Sequence, residues 1–364
     1  MSSPIAVVDG HNDLPWRIRE ICAYDLSAVD LRGGEPRTCT DLPRLRAGGV
    51  AAQFWSVFVP CALAGDAAVT ATLEQVDFVH RLVEAFPDDL RLCRTADEVH
   101  AAMADGRIAS LTGMEGGHSI SSSLGVLRAM HALGVRYMTL THNENVPWAD
   151  SATDVPVLGG LSDFGRDVVR EMNRIGMFVD LAHVSADVMR DALSVAAAPV
   201  LFSHSSARGV CDHPRNVPDD VLAKLAGNGG VCMVTFVPPF IRQDWADWYF
   251  ASLDVVTARG GDPRSFSDVD PVLAERLALA PPAPTVADVA DHVDHVRDVA
   301  GLEHVGIGGD YDGAASFPAG LEDVSGYPRL FDELRSRGWS EQELALLGSQ
   351  NVLRAMRDME ACAS

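Results

Sequence analysis

Ile5-Ala-Val-Val-Asp-Gly-His-Asn-Asp13 opens the chain with an apolar, β-branched run that breaks into a polar His-x-Asp. Such a run is of strand type. Residues i and i+2 of a strand share a face, so His11 and Asp13 offer an imidazole nitrogen and a carboxylate oxygen to one point in space. That is half of a metal site. Many strands end in His-x-Asp only to cap a turn, so the pair gains meaning when other strand ends supply partners.

Runs of the same kind recur at 51–59, 109–113, 137–141, 177–181, 200–203, 231–236 and 304–308. With 5–8 they make eight. Each is followed by turn residues and then by helical periodicity. Thr95 with Glu98 and Ser340 with Glu343 read as capping boxes, and Ser185 opens a helix over 186–197. Gly134, Gly176, Gly229 and Gly306 sit close before or inside the next strands, as chains leaving a helix for a central sheet require. Eight alternating units predict a parallel sheet closed into a (β/α)8 TIM barrel. The open Rossmann-like alternative needs an early Gly-x-Gly-x-x-Gly, and Gly113-Met-Glu-Gly-Gly lacks that spacing. The 364 residues exceed the ~250 of a typical barrel but remain within its range with insertions, so a single domain over 1–364 is expected. The stretch 241–284, with Trp245, Trp248, Tyr249 and a Pro-rich end, breaks the rhythm and reads as a helical insertion between strands seven and eight, a lid or contact surface.

Composition narrows the function classes. A formal charge of −22 disfavours a nucleic-acid partner, since phosphate binding draws on clustered Lys and Arg. No apolar stretch approaches a membrane span, and Met1-Ser-Ser-Pro lacks a basic patch followed by a long apolar segment, so a cytoplasmic chain without membrane attachment is expected. Seven scattered cysteines without a Cys-x-x-Cys pair read as reduced thiols, with Cys61, Cys93 and Cys232 in strand-like runs as small core residues. Among 29 basic residues only Lys224 is a lysine, and it lies in a helical run. A metal bridge through a carboxylated lysine is thereby disfavoured.

The polar residues at the carboxyl ends of the eight runs are His11 and Asp13, Glu115, His142, His183, His204, and Asp310 with Asp312. A barrel brings all these ends to one mouth. Imidazoles with carboxylates suit Zn2+ best, with Mn2+, Fe2+ or Co2+ as alternatives, and the histidine content excludes an all-oxygen Mg2+ or Ca2+ site. Two ions are expected, one held by His11 and Asp13 and one by His183 and His204, with Glu115 giving an oxygen to each and a hydroxide between them. Asp310 is the best general base and acid, and Asp312, on the same face, is its rival. His142 suits a developing oxyanion, and the Arg215 guanidinium suits a substrate carboxylate. Arg215 could equally pair with Asp212 or Asp219 at the surface. His118 and His131 are not expected to be ligands, and His292 and His295 are expected to face solvent. Ser203-His-Ser-Ser lacks the Gly-x-Ser-x-Gly setting of a serine nucleophile.

Together, His11-Asn-Asp, Glu115-Gly-Gly-His, Leu140-Thr-His-Asn, Asp180-Leu-Ala-His, Ser203-His-Ser-Ser-Ala-Arg, Arg215-Asn-Val-Pro-Asp-Asp and Gly308-Gly-Asp-Tyr-Asp-Gly resemble the membrane (renal) dipeptidase family of the amidohydrolase superfamily. The resemblance spans residues 7 to about 355. It implies two zinc ions on His11, Asp13, Glu115, His183 and His204 with Glu115 bridging, Asp310 as proton shuttle, His142 at the carbonyl oxygen, and Arg215 at the carboxylate. It also implies hydrolysis of dipeptides, including those with a D-residue at the carboxyl side, and a homodimer. The chain departs from the animal members, which carry a secretion signal, a lipid anchor and disulfides, and Glu144 stands where they have a cysteine. A metallohydrolase of N-acyl amino acids, lactones or β-lactams is the nearest alternative function. A metal-bound barrel that binds peptides without cleaving them is the more distant one.

Overall fold

The structure, a computed structural model, describes residues 5–364. Nine strands form one parallel sheet: β1 Val7–Asn12, β2 Val50–Phe58, β3 Leu90–Leu92, β4 Ile108–Glu115, β5 Val135–Thr139, β6 Phe178–Asp180, β7 Leu201–Phe202, β8 Val231–Val234 and β9 Val305–Ile307. Their order is β2-β1-β9-β8-β7-β6-β5-β4-β3, and an additional β2–β4 pairing closes all but β3 into the eight-stranded barrel expected from the sequence. Strand β3 pairs with the start of β4, Leu90 opposite Ile108, whereas β5 takes the end of β4, Thr112 opposite Val135. Its three residues are too few to show a period of two, so it is not legible in the sequence.

The first strand also runs further than the apolar pattern suggests. Gly10, His11 and Asn12 continue it past Val8, because β1 is flanked by β2 and β9 and its polar end is buried. Inside the barrel the filling is steric. Tyr137 on β5 reaches across the interior, and a Cβ at Gly113 on β4 would collide with its ring. At the other side a Cβ at Gly308 would run into the Ser203 carbonyl. The glycines in these strand ends are thus space for neighbours, consistent with close backbone approach in a narrow barrel.

Helix starts follow the sequence signals closely. Ser185 caps Ala186–Val195 by accepting from the Val188 N–H, and Ser340 with Glu343 forms a complete capping box. At Thr95 only half the box forms: its hydroxyl accepts from the Glu98 N–H, but the Glu98 carboxylate turns to the Arg94 N–H. The 241–284 stretch is helical as expected, with Gln243–Ala258 and Phe266–Arg276 packed together through Val256, Val269 and Val272. Arg264 ties it to Asp154 in the loop after β5 at 2.7 Å, which hangs the insertion over the barrel mouth. No helix among the described residues is long and apolar enough to cross a membrane.

His292 departs from expectation. It is fully buried, and both ring nitrogens are used: Nδ1 accepts from the Ala207 N–H at 3.0 Å and Nε2 donates to the Ile241 carbonyl at 2.8 Å. The single helical turn that seemed to face solvent is covered by the insertion and the loop after β7. Burial pushes His292 down from 6.5 to about 4, since a second proton would displace the Ala207 N–H. The unfolded chain then binds the extra proton between these values, and stability falls as pH drops through that window. Replacing His292 with Ala is expected to cost roughly 2–5 kcal/mol in urea unfolding at pH 7.5, from two orphaned backbone groups and a cavity. The gap between the two proteins should narrow at pH 5. A gap that widens there would contradict the buried neutral imidazole.

Candidate metal centre

Each chemical side chain leaves the barrel at or just beyond a strand end. His11 lies on β1, Glu115 ends β4, and His142, His183, His204 and Asp310 follow β5, β6, β7 and β9. Convergence is tight. The Glu115 Oε2 lies 3.5 Å from the His11 Nε2, while Oε1 lies 2.9 Å from the His183 Nε2, 3.5 Å from the His204 Nε2 and 3.8 Å from the His142 Nε2. One carboxylate therefore divides its two oxygens between two sets of imidazoles. The Asp13 Oδ2 stands 3.3 Å and the Asp310 Oδ1 3.9 Å from the His11 Nε2. His204 lies closer to the His11 side than the sequence pairing with His183 suggests, with ring centroids 3.9 Å from His11 and 5.0 Å from His183.

Several of these atoms have no bonding partner. His11 Nε2, His204 Nε2 and Asp13 Oδ1 are buried and lack any hydrogen-bond partner, although acceptors and donors lie within 4 Å. Buried polar atoms in a fold are ordinarily paired. A set that converges on a common space and stays unpaired is what a divalent cation requires of its ligands, and the N/O donor set fits zinc. Three groupings are close enough to hold an ion: His11–Glu115–His204, Glu115–His142–His183 and His11–Asp13–Asp310.

The rings are held from behind. The His11 Nδ1 lies 2.7 Å from the Tyr137 hydroxyl, which donates to the Gly10 carbonyl, so the ring N–H points outward and the Nε2 lone pair inward. The His204 Nδ1 meets the Ser203 Oγ at 2.8 Å, and that hydroxyl donates to Asp180 at 2.7 Å. Such outer partners orient ligand imidazoles and raise their basicity. Burial, reinforced by the Arg215 charge, pushes His183 and His204 well below the ordinary histidine range, which leaves them neutral. Burial would lower His11 too, but the facing Tyr137 hydroxyl and the Glu115 and Asp13 carboxylates outweigh it and favour a proton that a bound cation would displace from Nε2. Tyr137, Asp180 and Ser203 were not singled out as functional from the sequence. Asp180 and Ser203 stand inside the quoted motifs, and a tyrosine on an inward strand position was the available signal for Tyr137.

The two aspartates after β9 separate. Asp310 faces the centre, and its carboxylate and that of Asp13 crowd Gly313, where a Cβ would meet both. Burial raises Asp310 well above the usual carboxylate range. Asp312 instead accepts from the Cys39 N–H at 2.7 Å and holds that loop, so it is no rival in reach. Both, like His183, have left-handed backbones, φ 62°, 67° and 64°, a strain of about 1–2 kcal/mol each. Arg215 is buried, with Nη1 unpaired and its guanidinium 5.1 Å over the Phe240 ring. Asp219 pairs with His295 instead. Burial lowers Arg215 to about 10, and the facing charges of Asp310 and Glu115 hold its proton on. A buried planar cation with a free N–H beside the centre is suited to a carboxylate. His118 bonds the Val59 carbonyl and stays outside the cluster, as expected.

Comparisons with known proteins place the chain in a family. The family model for membrane dipeptidase, peptidase family M19, matches residues 1–364. Dipeptidase 3 of Mus musculus is 44% identical over 359 residues, which cover 97% of this chain and 64% of that protein. The chain thus spans about 64–65% of the length of the curated relatives it matches. A metallo peptidase from Rhodobacter sphaeroides, solved with a phosphinate mimic of the dipeptide L-Ala-D-Ala, superposes with a TM-score of 0.80 at 26% identity, over 98% of this chain and 100% of that one. The probable dipeptidase PvdM from Pseudomonas aeruginosa shares the fold, with a TM-score of 0.86 at 23% identity over 99% and 96% of the two chains. With a full-length family match and a metal-ready barrel mouth, the chain belongs to the membrane dipeptidase family, peptidase family M19.

Proposed function

We propose that the chain is a binuclear zinc dipeptidase that hydrolyses the peptide bond of free dipeptides, L-Xaa-D-Xaa among them. The observation that carries this reading is the convergence of His11, Asp13, Glu115, His183 and His204, with His11 Nε2, His204 Nε2 and Asp13 Oδ1 unpaired, beside the buried guanidinium of Arg215 with its free Nη1. Those five residues would hold the ions, with Glu115 shared. When bound, two zinc ions supply Lewis acidity that activates water and polarises the scissile carbonyl.

The protein's own groups do the rest. Arg215 binds the substrate carboxylate and so fixes which bond lies over the centre. His142 donates to the carbonyl oxygen as charge develops there. Asp310 takes the proton of the attacking water and returns it to the departing amine, a role its burial and inward aim support. The D-residue at the carboxyl side draws support from the phosphinate mimic of L-Ala-D-Ala bound by the Rhodobacter sphaeroides relative. A homodimer follows from the family resemblance, and seven unpaired cysteines support a reducing, cytoplasmic setting.

Three outcomes are expected. Zinc-loaded protein should cleave free L,L- and L,D-dipeptides and lose this on chelation; equal turnover of N-acetylated dipeptides would instead assign it to N-acyl amino acid hydrolysis. Asp310→Asn should keep its zinc by elemental analysis and lose at least ~100-fold in kcat, whereas Asp312→Asn should retain most turnover. Glu115→Gln should lower zinc stoichiometry, and full occupancy with full activity would remove Glu115 from the bridging role.

A further inference from the structure

The outward nitrogens of the imidazoles at the centre do not meet the same kind of partner. Behind His11 and His204 stand hydroxyls that pass their own protons on to the Gly10 carbonyl and the Asp180 carboxylate, so each ring donates outward. Behind His142 stands a thiol. The Cys61 Sγ lies 3.5 Å from the His142 Nδ1, in the loop just past β2 and not within a strand as the sequence suggests. The backbone N–H groups of Glu144 and Asn143 lie near the same sulfur and favour electron density on it. Two N–H dipoles near a weakly accepting sulfur disfavour a third donor, so the sulfur's own proton is the one offered to the ring. Burial pushes this thiol up to about 11, so that proton is present at neutral pH. The ring itself is packed between Phe58, Phe266 and His183, at centroid distances of 4.8, 5.8 and 4.3 Å.

We propose that Cys61 is a positioning residue: its S–H donates to the His142 Nδ1, which places the ring proton on Nε2 and makes His142 a hydrogen-bond donor toward the centre instead of a metal ligand. An imidazole nitrogen that carries a proton has no lone pair for a cation. The grouping Glu115–His142–His183, close enough to hold an ion on distance alone, is thereby reduced to Glu115 and His183. The opposite tautomers of His11, His204 and His142 follow from what each ring has behind it, with no difference needed in front. The kinetic consequence rests on the dipeptidase reading, but the tautomer does not.

The test uses the full-length zinc-loaded chain with 15N-labelled histidine, and long-range 1H–15N correlation spectra in which the His142 signals are identified by their loss in His142→Gln. The wild-type ring is expected as the Nε2–H tautomer. In Cys61→Ala it should shift toward Nδ1–H, with zinc stoichiometry unchanged, and Cys61→Val gives the same readout should alanine fold poorly. For dipeptide cleavage, kcat should fall at least ~10-fold with KM nearly constant, part of the ~100–1000-fold that loss of an oxyanion donor costs. Cys61→Ser, whose hydroxyl also donates, should restore both the tautomer and kcat. A wild-type His142 with Nε2 unprotonated or zinc-bound overturns the proposal, as does an unchanged tautomer in both Cys61 variants or a loss of zinc from them. Wild-type protein that cleaves no dipeptide would sink the substrate assignment while leaving the tautomer result to stand on its own.

Discussion

A single buried carboxylate organises the mouth of this barrel. Glu115 is 4% exposed, and its two oxygens face four imidazoles at 2.9–3.8 Å, while the Ser56 hydroxyl donates to Oε2. Withdrawing a carboxylate from water costs several kcal/mol, and neutral imidazoles return little of it. Cations in the shared space, or a proton on the carboxylate, are the ways to offset that cost. The unpaired nitrogens of His11 and His204 say which the fold is prepared for.

Everything behind that carboxylate is arranged to keep it and its partners still. Tyr137 spans the barrel to reach His11, and it fits only because Gly113 has no side chain. Asp180 accepts from Ser203 through both backbone and hydroxyl, so β6 and β7 fix His204 together. Asp9 does the same between β1 and β9, accepting from the Gly309 N–H at 2.8 Å and from the Tyr327 hydroxyl at 2.6 Å just below the turn that carries Asp310. These buried polar groups are satisfied by one another, whereas the inward atoms of the centre are not. Other buried atoms, such as the Ser110 and Thr112 hydroxyls, are unpaired too, so it is the convergence of the unpaired atoms on one space that marks the site.

The insertion joins the same design from above. Phe266 leans on His142, and Phe250 stacks on His213 beside Arg215, so residues far apart in the chain wall the space where a substrate would lie. His292, on the helix Val286–Ala300 before β9 and no part of the centre, helps hold this roof through Ile241.

The eight-unit barrel was legible because strand and helix periods alternate strongly, and the candidate ligand positions were legible because His and acidic residues recur at the ends of those strands. Aspects that depend on three-dimensional proximity were not. Whether Asp310 or Asp312 faces the centre turns on two left-handed backbones and on the Cys39 N–H, neither of which a pattern of residue types encodes. Arg215 could be read as a surface ion pair until its loop was seen held by the Asn216 side chain, which donates to the Cys211 and Phe240 carbonyls and buries the guanidinium. The short strand β3 and the burial of His292 were hidden for the same reason: each is decided by what packs against it. The sequence by itself determined the architecture and the donor set, since those are carried by local periodicity and residue chemistry. Only the tertiary structure decided which nitrogen, which oxygen and which aspartate point inward, because side-chain aim is set by packing partners, some adjacent in the chain and some more than a hundred residues away.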